Sequence, residues 1–207
     1  MTGSIPRYGF LVDTYRTERL KTLSVWSQVP DALLHTRLEP RARSPIEHMI
    51  HQCMSEHAWM TAMLGIDIGR PALPVQEIRD AFVQHYALCS GDRLTVLAGR
   101  PEHWFEEETS FFEVRRIRAW VLTRRFTHSA HHRGQLTAMI RASGQPLHST
   151  YGPTADTGGL PKNGARVIYS HQTLDQLLAA EPAAALPGPG EQPPTERPDP
   201  GSEAPRR

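Results

Sequence analysis

Proline and glycine divide the first two-thirds of this 207-residue chain into stretches of helical length. Pro30 and Pro40 bracket one break, Gly65 to Pro74 form a second, Gly99-Arg100-Pro101 a third, and Gly144 with Pro146 a fourth. Proline lacks the backbone donor that a helix interior needs, and glycine gives up the most conformational freedom there, so both collect at element ends. Between the breaks, apolar residues recur every three or four positions, the period of one helix face. From about Tyr8 to Val29 these are Phe10, Leu11, Tyr15, Leu20, Leu23 and Trp26; from about Val75 to Leu97 they are Ile78, Phe82, Tyr86, Leu88, Cys89, Leu94 and Leu97. A second helix starts at Ser44-Pro45-Ile46-Glu47, where Ser44 as N-cap, Pro45 at the first helical position and Glu47 three residues on make a capping box; Gly65 should stop it after Leu64. Phe111 and Phe112 introduce a fourth helix reaching about Ser143. No strand-like alternation interrupts these segments. The expected fold is all-α, a four-helix bundle over residues 8–145.

Beyond the bundle the composition changes. Residues 146–180 read as a loop-rich extension packing on the bundle, with Tyr151 and Asp156 as the polar side chains that could reach over a site. Residues 181–207 carry Pro182, Pro187, Pro189, Pro193, Pro194, Pro198, Pro200 and Pro205 among Gly, Glu and Arg, a composition that buries too little apolar surface to order itself. The formal charge of +1 gives no electrostatic reason to bind nucleic acid or an anionic membrane. The two cysteines, Cys53 and Cys89, form no CxxC pair and read as reduced core residues. No apolar run approaches the ~18 residues of a membrane span, and residues 1–7 lack a signal-peptide core, so a cytoplasmic protein is expected.

The chemistry concentrates in histidine. His128 and His132 are four residues apart in the fourth helix, one above the other on one face. Two imidazoles make a poor metal site, and His51 on the second helix is the candidate third ligand. His48, one turn earlier, competes for that place. His131 lies about 100° around the helix from His132 and is set aside as a ligand. A three-histidine set leaves positions on an ion open for water or substrate, the arrangement of a catalytic site. Imidazole suits Zn²⁺ first, with Ni²⁺ or Fe²⁺ as alternatives. Glu56, five residues after His51, reads as a group supporting the ligands from behind, a catalytic base or a further ligand, or else as a solvated helix carboxylate. Arg125 and Arg133 are expected to point outward, Trp59 and Trp120 to lie in the core, and Gly134 to mark a close backbone approach.

His51, Glu56 and Trp59 on the second helix, with His128-Ser-Ala-His131-His132-Arg133-Gly134-Gln135-Leu136 on the fourth, resemble the DinB/YfiT-like superfamily of damage-inducible four-helix bundles. The resemblance spans about Tyr8 to Gly144. It implies a divalent metal ion held by one histidine of the second helix and an HxxxH of the fourth, which by position are His51, His128 and His132. It also implies a homodimer, a role in stress response, and either a metal-dependent transferase using a low-molecular-weight thiol or a hydrolase of a small-molecule substrate. The alternative is a non-catalytic metal-binding module.

Overall fold

The computed structural model describes residues 6–145 together with Leu147, Asp156, Asp175 and Gln176. The expected extension (146–180, apart from those few residues), with Tyr151, and the tail 181–207 lie outside the described residues. Four long helices form the bundle: α1 (Gly9–Ser27), α2 (Pro45–Ala58), α3 (Arg79–Ala98) and α5 (Arg118–Ala142). A short helix, α4 (Glu102–Glu106), and a two-stranded hairpin, β1 (Glu108–Phe111) and β2 (Val114–Ile117), stand between α3 and α5. Helix α1 packs chiefly against α3 and α5, and α2 against α5.

The local signals at the helix ends act as the sequence indicates. Ser44 and Glu47 form the capping box of α2, with the Glu47 carboxylate accepting the Ser44 N–H at 2.8 Å. After Ala58 the helix widens into a π-helical turn, Trp59–Met63, and stops where Gly65 adopts φ 63°. Gly144 at φ 74° ends α5 in the same left-handed way, a conformation that glycine enters without steric penalty.

The fourth long helix begins later than expected. Phe111 and Phe112 are not its first turn: Phe111 closes β1, and Phe112 with Glu113 makes the two-residue turn of an antiparallel hairpin in the register Phe111↔Val114 and Glu108↔Ile117. Such turns need positive φ, normally supplied by Gly or Asn, and here Phe112 takes φ 54°. The helix α3 likewise starts at Arg79 rather than at Val75, which is fully exposed.

The core is split. One apolar cluster includes Leu23, Trp26, Met49, Phe82, Tyr86, Leu136 and Ile140; the other includes Leu11, Tyr15, Met60, Leu97, Trp104, Leu122 and Phe126. On the long helices, several buried polar residues fall in sequence between members of the two clusters, Thr22 on α1, Glu56 on α2, Ser90 and Arg93 on α3, Ser129, His132 and Arg133 on α5, and Arg125 is buried beside Phe126. Arg125 and Arg133 therefore do not point outward, being 1% and 4% exposed. Arg133 pairs with Glu18, and Arg93 and Arg125 with Glu56. The connecting segment 35–43, by contrast, contains no buried side chain.

Candidate metal centre

The helix phase that places Leu122, Phe126, Ser129 and Leu136 in the interior also turns His132 inward, and His128 stands half-buried one turn before it. Facing them, α2 buries His48, Met49, Gln52, Cys53 and Glu56, with His51 half-buried beside this stripe. Ile50 is half-buried at the edge of the stripe, whereas Met54 is 51% exposed and Ala58 is also exposed.

Across the α2–α5 seam, one nitrogen from each of His51, His128 and His132 lies within 4.8 Å of the others. His51 Nε2 and His128 Nε2 are 3.2 Å apart, as are His128 Nε2 and His132 Nε2. Those spacings match the edge, about 3.3 Å, of a tetrahedron built on zinc–nitrogen bonds of ~2.0–2.1 Å. The rings are also in the right charge state. Burial, reinforced by Arg125 beside His128 and by His128 beside His132, lowers each from 6.5 to about 3, and burial with Arg43 lowers His51. All three are therefore neutral at neutral pH and hold the lone pairs that ligation needs. The donor set thus fits a divalent ion.

His48 occupies a different place. Its Nδ1 meets Nδ1 of His132 at 3.0 Å, on the side of that ring away from His128. When His132 Nε2 is a lone pair, its proton sits on Nδ1 and His48 Nδ1 accepts it. A ligand histidine normally donates its other N–H in this way, which fixes the tautomer and makes the ring a better donor. His128 is held less favourably. Arg125 donates to its Nδ1 at 3.1 Å, so the neutral ring carries its proton on Nε2. Holding an ion through Nε2 would require that proton on Nδ1 instead, and the same Arg125 nitrogen has Ser55 Oγ at 2.8 Å as a second acceptor. Trp59, at the start of the π-helical turn, lays its ring 5.3 Å from that of His128 and 5.1 Å from Phe111 of the hairpin.

Glu56 lies fully buried below the cluster with both oxygens engaged. Oε1 accepts from Tyr15 at 2.7 Å and Arg93 at 3.2 Å; Oε2 accepts from Tyr86 at 2.8 Å and stands 3.5 Å from Arg125. Burial alone would raise its pKa, but Arg125, Arg93 and the two phenols lower it below the usual carboxylate value. Glu56 is thus not a solvated helix carboxylate; it ties all four long helices together and, through Arg125, sets the position of His128. His131 is exposed and bonded to Gln135 at 2.7 Å. Asp156 pairs with Arg141. Trp120 is 39% exposed rather than core, and an added Cβ at Gly134 would meet nothing within 4 Å.

Sequence reasoning passed over Arg125 and the pairing of His48 with His132. Arg125 follows Val121 by four and precedes His128 by three, so the helical phase held the signal; the usual preference of arginine for the surface hid it.

The DinB family model matches residues 10–159. A crystal structure of a DinB-like protein from Bacillus cereus ATCC 10987 is similar in fold, with a TM-score of 0.59 and 16% identity over 68% of this chain and 95% of that one. No curated protein matches the chain. Among the described residues, no helix is long and apolar enough to cross a membrane. With a family match over most of its length and the corresponding bundle, the chain belongs to the DinB family.

Proposed function

We propose that this protein is a metal-dependent enzyme acting on a small molecule, a transferase of the thiol S-transfer type or a hydrolase, with a divalent ion held by His51, His128 and His132. The observation that carries the reading is the convergence of three neutral imidazoles from two helices, one nitrogen of each within 4.8 Å of the others and His128 Nε2 at 3.2 Å from both His51 Nε2 and His132 Nε2. A bound ion would supply Lewis acidity and lower the pKa of a water or thiol at its open position. The protein's own residues do the rest. His48 accepts the hydrogen bond from His132 Nδ1–H, Trp59 shields one side of His128 from water, and Glu56 acts as a positioning residue by fixing Arg125 behind His128. Three nitrogen donors without a carboxylate favour Zn²⁺, with Ni²⁺ and Fe²⁺ as alternatives.

Elemental analysis tests the ion. The purified protein should carry a divalent metal at roughly one per chain, lost in the His128→Ala/His132→Ala double variant; unchanged metal content in that variant would overturn the site. The reaction is tested by screening electrophiles with low-molecular-weight thiols, and simple esters and amides without them. Turnover should vanish on chelation and return with Zn²⁺. Metal binding without turnover on any of these classes would favour a non-catalytic binding module.

A further inference from the structure

A cavity of about 920 Å³ opens beside the histidine cluster, with His48 and His51 in its wall. Its remaining wall has an uneven chemistry. Arg37, Arg41 and Arg43 line it against a single carboxylate, Glu47. Two of these cations are already paired: Arg37 with Glu47 and Arg41 with Glu39. Arg43 makes no hydrogen bond or ion pair among the described residues, and it is the charge that acts most strongly on both His48 and His51. It stands where a group bound next to the histidines would meet it.

Apart from Gln135, the rest of the wall is apolar. Leu38 and Met54 are 50% and 51% exposed, and both face this cavity, with Ile50 and Met139 behind them. Large apolar side chains left open beside a guanidinium with no partner among the described residues describe a ligand with an anionic head and a hydrocarbon body. A guanidinium offers two parallel N–H donors that match the two oxygens of a carboxylate.

We propose that this cavity binds a small organic carboxylate, its carboxylate on Arg43 and its apolar body against Leu38 and Met54. The ligand would lie alongside His51, which makes it the substrate class for the reaction proposed above. The inference rests on the ion site for the purpose of binding, and on the cavity alone for binding itself.

Calorimetry on metal-free protein with hexanoate, hexanol and inorganic phosphate tests it. Hexanoate should bind at millimolar concentrations or below, and hexanol at least about tenfold more weakly, the loss expected for a hydrogen bond to a charged group. Arg43→Gln should weaken hexanoate by about tenfold or more, and Arg43→Lys should recover part of that. Arg43 is exposed, so both variants should keep the wild-type melting temperature. Equal binding by Arg43→Gln, equal binding of hexanol, or no hexanoate binding would each overturn the proposal. Phosphate preferred over hexanoate would overturn the carboxylate assignment. Metal uptake by the same preparations, measured after they are reloaded with Zn²⁺, separates the two readings. Arg43-dependent hexanoate binding by protein that takes up no metal would sustain this inference and remove the ion site; full metal content with Arg43-independent binding would do the reverse.

Discussion

His48 Nδ1 and His132 Nδ1 face each other at 3.0 Å, and two imidazole nitrogens at that distance share one proton. The pairing makes His48 the acceptor that leaves His132 Nε2 free. Replacing it with Phe should lower metal affinity about 10- to 100-fold, the usual effect of losing such a partner. His48→Asn, which keeps an acceptor near the same place, should retain most of it. Competition with a chromophoric chelator measures both. A Phe variant that binds as tightly as wild type would show that His132 needs no partner.

Glu56→Gln should destabilise the fold by about 3–5 kcal/mol, because Arg93 and Arg125 would remain buried without their counter-charge. Urea unfolding reads this directly. If stability were unchanged while turnover alone disappeared, the carboxylate would be the catalytic base after all.

Acid should unfold the metal-free protein early. His48 is lowered by burial to about 4, and His128 and His132, likewise chiefly by burial, to about 3. Each has a folded pKa below its unfolded value of 6.5, so the unfolded chain binds more protons in between. Stability from these groups is complete above 6.5 and falls progressively as the pH drops toward 3. Glu56, also lowered, adds to the loss at the acid end. Urea midpoints in the presence of chelator should fall steadily from about pH 7 to about pH 4. A flat profile would mean that the rings take up protons in the folded state as readily as in the unfolded one.

Gly134→Ala should stabilise the protein by up to ~1 kcal/mol, since a mid-helix glycine lacks helix propensity and its added methyl meets nothing within 4 Å. For a chain of this size that is a rise of about 2–4 °C in Tm. A fall would show that the glycine serves a contact outside the described residues.

The parts of this structure legible in the sequence are the local ones. The cap at Ser44, the stops at Gly65 and Gly144, and the alignment of His128 with His132 each depend on residues within one turn of helix. The hairpin escaped because its turn uses Phe112 where glycine or asparagine would have announced it. Arg125 and Arg133 escaped because their counter-charges, Glu56 and Glu18, lie on other helices far away in sequence. An arginine without a visible partner reads as surface, and only the assembled bundle supplies one. The same holds for His48, whose role appears only when α2 is laid against α5.

The segment 35–43 contributes most of the charge lining the cavity yet buries none of its own side chains. Selection on folding therefore has little grip on it. The histidines, rooted in α2 and α5, are anchored by a core that tolerates few changes, whereas Arg37, Leu38, Arg41 and Arg43 are free to vary. A lineage could change the lining of the cavity by rewriting a handful of surface codons, and keep the histidine cluster, the bundle and its stability while doing so.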